Sequence, residues 1–481
     1  MPRHRNNSRK LRLALGLLCG LGFAALIPRL AAQDPRPLPQ PHFPPTAIRL
    51  PARLQLNHRG GLSAAQAARL DTARIQAALD RCPWGRAVEL VAQGRRTAFV
   101  SGPLQLRSGV TLRLGAGVRL LLARNPRLFD RSPGSCGVIN RNGRGCRPLL
   151  RGDHIRDAAL MGPGMLDGRG GAIIRGRRST WWQIARRAQK LNLNQNCPRL
   201  LVLNHCRHFT LYDVTLRNSP NFHVLFADGR GFTAWGVQIY APARARNTDG
   251  IDLISSQRAS IVHCWIHTGD DDICLKSNGS GPLAQVTVAH DHCLTGHGVS
   301  IGSETWGGVH AVRVRNVTLD GAVNGLRIKS NRSRGGVVSD VRYRSICIRN
   351  SRYPLIFDTH YPYHGRAADR IPWYHDISLH NVRIEAPGTI ELIGYDARHP
   401  LGLRLRNVTV NAPRRIRVVA RHARLRLLSG PFNLRISGPD VRVLGLSRAG
   451  SPARPLPGFA CRQRWKTPPP GLIPRHPETA E

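Results

Sequence analysis

Four short polar islands carry most of the residues in this chain that could do chemistry. They are Asn247-Thr248-Asp249-Gly250, Gly269-Asp270-Asp271, Gly296-His297-Gly298 and Arg327-Ile328-Lys329, and they fall within about eighty residues. Together they offer three carboxylates, one imidazole and two cations. A protonated carboxyl group can act as an acid, a carboxylate can activate water, and cations can hold an anionic ligand. The islands therefore predict acid–base chemistry on an acidic substrate.

The segments between the islands indicate how such side chains could be positioned. Apolar residues alternate in segments that recur at 209–216, 232–239, 259–266, 312–319, 341–348, 377–384 and 403–410. The steps are mostly 23 to 29 residues, with one of 36 and one of 53. This period predicts a solenoid, since a propeller needs a longer repeat with four strands per blade. We expect an all-β, single-stranded, right-handed parallel β-helix, in which equivalent positions of consecutive coils lie about 4.8 Å apart. Asp249 and Asp270 then face one groove.

In order and spacing, the islands resemble the polygalacturonases of glycoside hydrolase family 28, pectin-cleaving enzymes built on a parallel β-helix. The resemblance covers roughly residues 60–440 and includes the runs 162–168 and 218–220. It implies inverting hydrolysis of α-1,4-galacturonosyl bonds without a metal or another cofactor. By resemblance, Asp270 is the general acid, Asp249 with Asp271 activates the water, and His297 supports the acid. The alternative for any lone island is an Asp that caps a turn or a surface His.

Substrate binding is assigned to a second set of residues. Arg327 and Lys329 are two apart on a predicted strand, so their side chains share a face and can hold a sugar carboxylate. The chain has only five lysines, which makes Lys329 stand out. The resemblance adds Asn247 and Tyr361, with Tyr363 as a near rival for the tyrosine position.

One feature departs from the family pattern. Asp272 follows Asp270 and Asp271, which gives three consecutive aspartates. We keep the register on Gly269 and on the segment 273–277, and interpret Asp272 as an outward turn residue without a catalytic role. A slip by one residue would make Asp271 the acid and Asp272 a base.

Four segments are predicted along the chain. Residues 1–32 have a basic start, an apolar run and small residues near Ala32, as in a secretory signal. Residues 33–60 form a Pro-rich linker, 61–449 the β-helix with a capping helix over 71–80 started by Asp71, and 450–481 an unstructured Pro-rich tail. We expect a secreted (extracellular or periplasmic) monomer with no stable membrane insertion after signal cleavage.

Charge and cysteine content limit the partners. The formal charge is +44, from 72 basic and 28 acidic residues, which favours any polyanion. No nucleic-acid-binding motif is present, so we expect an acidic polysaccharide and no nucleic acid. Cys136 and Cys146 are the expected disulfide, whereas Cys264 and Cys293 could be paired or free. No zinc spacing is present, so no metal is predicted.

Several alternatives stay open at the level of sequence. The loop from Asp358 to Trp373 could close one end of the groove, which favours cleavage from chain ends over internal cleavage. A rhamnogalacturonan hydrolase would share the fold and alter the positions of His297, Arg327 and Lys329. A pectate lyase would use calcium, and a non-catalytic polyanion-binding β-helix would lack the acids.

Overall fold

The computed structural model describes residues 38–58, 60–362, 368–385, 387–445 and 460–474. The predicted signal segment 1–32 lies outside these residues. Most of the described residues form short strands that pair in parallel with the equivalent strands of neighbouring coils. Within the described part, no helix is long and apolar enough to cross a membrane. The chain is a parallel β-helix, as the repeat predicted.

Two large parallel sheets run along this β-helix. The first has eleven strands: Leu104–Gln105, Leu150–Asp153, Leu201–Asn204, Val224–Ala227, Ile251–Ile254, Ile273–Ser277, Val299–Thr305, Asn324–Lys329, Tyr353–Asp358, Gly388–Ile393 and Ile416–Arg421. The second has 24 strands: Thr46–Pro51, Arg86–Val91, Ala98–Ser101, Val110–Leu114, Arg119–Leu122, Arg156–Met161, Met165–Asp167, Arg207–Tyr212, Thr215–Arg217, Arg230–Trp235, Gln238–Tyr240, Gln257–Val262, Trp265–His267, Leu283–Ala289, His292–Cys293, Val309–Arg315, Thr318–Asp320, Val337–Val338, Val341–Arg349, Trp373–Tyr374, Ile377–Ile384, Leu401–Val410, Ala423–Leu427 and Val441–Leu444. A small antiparallel pair joins Ile139–Asn140 to Asn194–Gln195.

The core is built from rows of apolar side chains that cross the strands. One row in the eleven-stranded sheet is buried along its whole length and consists of Leu203, Phe226, Leu253, Leu275, Ile301, Ile328, Phe357 and Leu392. Burying each such side chain stabilises the fold by about 1.5–3 kcal/mol relative to leaving it exposed. Side chains alternate across a strand, so the neighbouring residues of these strands point away from the core. That outward face carries the polar islands.

The repeated Asn-Val phrase has a conformational cause. Asp213, Asn316, Asn381 and Asn407 occupy the same place in their coils and have φ between 51° and 56°. Asn and Asp tolerate this left-handed conformation better than other residues with a side chain. Each therefore turns the chain at the corner of its coil.

The predicted segment boundaries need correction at both ends. Thr46–Pro51 is a strand paired with Arg86–Val91, and Ala52 and Leu54 are buried in the core. The predicted linker is therefore wrong over 46–54, because the alternation in this segment covers the first coil. In the tail, Cys461 forms a disulfide with Cys347, and Leu472 is buried. The prediction of an unstructured tail is wrong for 460–474.

The helices also differ from expectation. Thr72–Arg81 is a helix, but the Asp71 carboxylate accepts hydrogen bonds from Arg74 and from the Val100 amide instead of capping the helix. Gln76 of this helix bonds the backbone of Gln105, the first strand of the eleven-stranded sheet, and the capping role stays a prediction. Two further helices, Ala64–Ala68 and Trp181–Lys190, were not predicted. The second begins with a capping box formed by Thr180 and Gln183, a signal that the sequence contains.

The cysteines divide into bonded and free thiols. Cys136 and Cys146 form a disulfide, which confirms the predicted pair. Cys264 and Cys293 are free and buried, which settles the question that the sequence left open.

Short 3-10 helices at Pro126–Phe129 and Pro413–Arg415 complete the described elements.

Candidate active site

Four consecutive strands of the eleven-stranded sheet position the predicted residues. Asp249 precedes Ile251–Ile254, Asp270 and Asp271 precede Ile273–Ser277, and His297 precedes Val299–Thr305. The paired residues Ile251, Ile273 and Val299 fix the register of these three coils. Arg327 and Lys329 lie on the fourth strand, Asn324–Lys329. The islands therefore meet at one place because equivalent positions of neighbouring coils are stacked.

Asp271 is the most strongly paired carboxylate of the site. Its oxygens lie 2.8 Å from Lys329 Nζ and 3.4 Å from Arg327 Nη1, and the Ser300 hydroxyl donates a hydrogen bond at 2.7 Å. All three charged side chains are buried. Burial raises the pKa of Asp271, but Lys329, His297 and Arg327 outweigh it and hold this pKa well below its usual range. Asp271 is therefore a carboxylate.

Asp270 faces the imidazole of His297. His297 Nδ1 lies 3.4 Å from Asp270 Oδ1 and 3.6 Å from Asp271 Oδ1, which are ion-pair distances longer than a typical N–H···O hydrogen bond. Burial lowers the pKa of His297, but the two carboxylates raise it to about 9, so the ring is a cation at neutral pH. Burial and Asp271 raise the pKa of Asp270, and His297 with Lys329 more than offsets them, so the net shift is downward.

Asp249 has the opposite surroundings. It is buried, and among the described residues its Oδ1 has no hydrogen-bond partner; the nearest described cation is Lys276, whose Nζ lies 3.9 Å from Oδ2. Burial, together with the charges of Asp270 and Asp252, raises the pKa of Asp249 well above its usual range. These surroundings therefore favour a proton on Asp249 over one on Asp270 or Asp271.

Asp252 and Lys276 were missed by the sequence analysis. Lys276 Nζ lies 2.5 Å from Asp252 Oδ2, and both residues are buried on the outward face of the sheet. Burial raises the pKa of Asp252 to about 6 despite this ammonium group. Lys276 also lies 5.0 Å from the ring centre of Phe222. The scarcity of lysine, used for Lys329, applies equally to Lys276 and could have identified it.

His223 is a second residue that the sequence did not reveal. It is fully buried, and its Nδ1 donates to the backbone oxygen of Asp249 at 3.0 Å. Its Nε2 lies 3.4 Å from the Ser219 amide nitrogen and 3.3 Å from the Tyr240 backbone oxygen. Burial lowers the pKa of His223 to about 4, so the ring is neutral. His223 therefore holds the backbone that carries Asp249.

The two remaining predicted binding residues also lie at the site. The backbone and side-chain amides of Asn247 lie 3.3 and 3.4 Å from Asp270 Oδ2, and Gln195 donates to the Asn247 side-chain oxygen at 2.9 Å. The Tyr361 ring lies beneath both cations, 5.4 Å from Arg327 and 5.5 Å from Lys329. The rival Tyr363 lies outside the described residues.

Asp272 does not lie where it was predicted. It is fully buried and accepts hydrogen bonds from the Thr268 hydroxyl at 2.8 Å and from the Gly298 amide at 3.0 Å. Burial raises its pKa well above the usual range. The interpretation as an outward turn residue is wrong, because Asp272 points inward and ties together the loops that carry Asp270 and His297.

The site also offers a possible set of metal ligands. Single ligand atoms of Asp270, Asp271 and His297 lie within 4.8 Å of one another. However, Asp271 is already neutralised by the buried Lys329 and Arg327. A divalent cation here would face two fixed positive charges and the charged His297, so the donor set does not fit a resident metal.

A stacked parallel β-helix with clustered acids, an imidazole and cations defines the β-helical glycoside hydrolases. Residues 133–420 match the sequence profile of glycosyl hydrolases family 28. The chain is 38% identical over 410 residues to an endo-polygalacturonase of Pectobacterium carotovorum subsp. carotovorum, which covers 85% of this chain and 96% of that protein. It therefore belongs to glycosyl hydrolases family 28, the polygalacturonase family.

Solved structures agree with this assignment. The structure of a polygalacturonase from Erwinia carotovora ssp. carotovora is similar with a TM-score of 0.74 and 36% identity, covering 81% of this chain and 99% of that one. An exopolygalacturonase from Thermotoga maritima shares the fold with a TM-score of 0.61 at 18% identity, over 81% of this chain and 93% of that one. The chain is thus a glycoside hydrolase enzyme.

Proposed function

We propose that this enzyme hydrolyses α-1,4-galacturonosyl bonds of polygalacturonan with inversion at the anomeric carbon. One observation carries the proposal: Asp270 and Asp271 share the His297 imidazole, while Arg327 and Lys329 flank Asp271 above the Tyr361 ring. Acids beside cations suit a sugar that carries a carboxylate. Family membership and the named activity of the relatives support the same substrate.

The proposed cycle moves one proton around the site. Asp270, once protonated, gives its proton to the leaving glycosidic oxygen while water attacks the anomeric carbon from the opposite side. Asp249 and Asp271 orient this water, and Asp249 takes its proton. Inversion requires acid and base carboxyls about 6.5–9.5 Å apart, so that the water fits between them. The cycle ends with the proton on Asp249 and Asp270 ionised, which is the distribution that burial and His297 favour in the free enzyme.

Substrate binding triggers the proton transfer from Asp249 to Asp270 that prepares the next cycle. A galacturonate carboxylate bound near Arg327, Lys329 and His297 neutralises the cations that hold the pKa of Asp270 down. The pKa of Asp270 then rises, and the proton on Asp249 passes to Asp270. A neutral sugar does not neutralise these cations and leaves the pKa of Asp270 low. The cations that bind the acidic polymer therefore also control the protonation of Asp270, the general acid.

We further propose internal cleavage. The expectation of cleavage from chain ends depends on the loop from Asp358 to Trp373, of which residues 363–367 lie outside the described residues. The relative that matches over 410 residues is named an endo-polygalacturonase, and the likeness to the exo-acting enzyme extends to the fold alone. Export through the segment 1–32 and a monomeric state remain part of the proposal.

Reducing ends released from de-esterified polygalacturonate, in the presence of a chelator, test the proposal. We expect release by the wild type, a loss of about 10²–10⁴-fold in Asp270→Asn, and a ladder of intermediate oligomers early in the reaction. Proton NMR of the first product distinguishes inversion from retention. Release restricted to rhamnogalacturonan, or absent from both proteins, would contradict the substrate assignment. Loss of activity in the chelator would contradict the metal-free mechanism.

A further inference from the structure

A second concave surface lies where the eleven-stranded sheet turns into the 24-stranded sheet. It is a groove of about 790 Å³ that extends over several coils. Its basic lining residues are His154, Arg156, His205, Arg207 and Arg230. We call it the arginine groove. None of these residues has a role in the catalytic site.

The three arginines form a regular row. Arg156 pairs with Arg207, and Arg207 pairs with Arg230, so they occupy the same position on three consecutive coils. Neighbouring strands are about 4.8 Å apart, so the row presents one guanidinium at each such step along the β-helix axis. All three residues are exposed. A row of this kind matches a linear ligand that carries one negative charge on every repeating unit.

The charges of this row are not neutralised by the protein. Among the described residues, no carboxylate oxygen lies within 4.0 Å of these three guanidinium groups, whereas Arg342 and Arg404 both pair with Asp376 on a later part of the same sheet.

The contacts that these arginines make are with uncharged groups. Arg230 donates to the Gln257 side chain at 2.9 Å, and Arg156 lies 5.3 Å from the ring centre of Trp84. The groove's one lining carboxylate, Asp228, accepts a hydrogen bond from the Ser280 hydroxyl.

We propose that the arginine groove binds a second stretch of the acidic polysaccharide, outside the catalytic site. The identity of the polymer rests on the proposed function, while the presence of a polyanion site rests on the groove alone. A guanidinium suits a carboxylate because its parallel N–H groups match the two oxygens. Each contact releases condensed counterions, so the affinity depends strongly on salt.

The position of the groove sets which substrates can use it. Ser255 lines the groove and follows the strand Ile251–Ile254, whereas Asp249 precedes this strand. A four-residue strand is about 13 Å long, so the two sites lie at opposite ends of the same strand. A short oligomer that fills the catalytic site is too short to fill the groove as well. A long chain can occupy both, and each contact then raises the effective concentration at the other.

Binding of long polygalacturonate to the inactive Asp270→Asn enzyme tests the proposal. In this background, the triple variant Arg156→Gln/Arg207→Gln/Arg230→Gln should bind about tenfold more weakly at low salt, with a shallower dependence of affinity on salt. The matched control is Arg81→Gln/Arg95→Gln/Arg96→Gln, which removes the same charge from exposed arginines near the first coils. The control should bind as the parent does. Equal weakening in both triples would show diffuse attraction and overturn the proposal.

Two further measurements separate the groove from the catalytic site. In the active enzyme, kcat/KM for a galacturonate trimer should be the same in both triples, and a drop confined to the groove triple would place these arginines in the catalytic site and overturn the proposal. Tighter groove-dependent binding of a short DNA duplex than of polygalacturonate would overturn the assignment of the ligand. A wild type inactive on polygalacturonate, with groove-dependent binding retained, would refute the proposed function alone.

Discussion

Asp249 and Asp271 occupy equivalent positions on neighbouring coils, yet their surroundings are opposite. Ile251 pairs with Ile273, and each aspartate stands two residues before its isoleucine. Asp271 lies 2.8 Å from Lys329, while the nearest cation to Asp249 is 3.9 Å away and pairs more closely with Asp252. The surroundings therefore favour the ionised form of Asp271 and the protonated form of Asp249. The difference comes from outward side chains on the neighbouring strands and not from the residue type.

The largest expected effect comes from replacing each aspartate by asparagine. Asp271→Asn leaves two buried cations without a counter-charge and should lower the free energy of unfolding by about 3–5 kcal/mol. Asp249→Asn replaces a protonated carboxyl by a group of the same shape and should change it by less than about 1 kcal/mol. Both variants should lose activity. Urea unfolding at pH 7 measures the contrast, and similar stability losses would remove the distinction between the two sites.

The buried Lys276–Asp252 ion pair tests how far the surroundings of Asp249 depend on a neighbouring pair of charges. Lys276→Met leaves Asp252 buried without its cation and should destabilise the fold by about 3 kcal/mol. The double variant Lys276→Met/Asp252→Asn should recover most of this loss, because no charge remains to be compensated. A double-mutant cycle by urea unfolding gives the coupling energy. Additive losses would mean that the pair contributes little, and that Asp249 does not depend on it.

The dependence of stability on pH distinguishes Asp252 and His297, whose pKa values are raised in the folded enzyme, from Asp271, whose pKa is lowered. Asp252 has a folded pKa of about 6 and an unfolded value near 4, so the folded state binds the extra proton and stability falls as pH rises from about 4 to 6. The stabilisation from His297 is complete below about pH 6.5 and is lost as pH rises through about 9, on the order of 3 kcal/mol. Asp271 acts oppositely, since its stabilisation is lost only as pH falls below about 4.

Melting temperatures from pH 4 to 10 measure this trend. We expect a fall towards high pH in the wild type and a flatter profile between about pH 6.5 and 9 in His297→Gln. The unchanged Asp252 and Asp249 should preserve the acidic part of the profile in this variant. A His297→Gln profile parallel to that of the wild type would show that His297 is not a cation in the folded enzyme.

The smallest expected effect concerns Tyr361. Its ring faces Arg327 at 5.4 Å and Lys329 at 5.5 Å, and such contacts contribute about 0.5–2 kcal/mol. Tyr361→Leu should raise KM for oligogalacturonates several-fold with little change in kcat, and Tyr361→Phe, which keeps the ring, should resemble the wild type. A similar rise in KM for both variants would assign the effect to the hydroxyl group and not to the ring.

The sequence was sufficient to predict the fold and to bring eight site residues to one place. Three of the islands stand just before successive strands of the eleven-stranded sheet, so Asp249, Asp271 and His297 are aligned on consecutive coils. The scarcity of lysine could have identified Lys276, but its ion pair with Asp252 was not predictable, because the contact depends on the register between coils. His223 was missed because its partner is a backbone oxygen, which no sequence pattern reports.

Other errors have the same physical origin. The Pro-rich composition of the tail suggested disorder, but a long-range disulfide to Cys347 and burial of Leu472 hold 460–474 in place. Asp272 reads as a surface turn residue, yet the Thr268 hydroxyl and the Gly298 amide satisfy it in the interior. In each case a tertiary contact outweighs the local preference.

The central claim is that Asp249 is protonated while Asp271 is ionised, and infrared spectroscopy observes this directly. The C=O stretching band of protonated carboxyl groups can be compared at pH 7 between the wild type, Asp249→Asn and Asp271→Asn. The proposed electrostatics predict that Asp249→Asn loses the intensity of one protonated carboxyl and that Asp271→Asn loses none. A loss in Asp271→Asn, with Asp249→Asn unchanged, would reverse the assignment of the two aspartates.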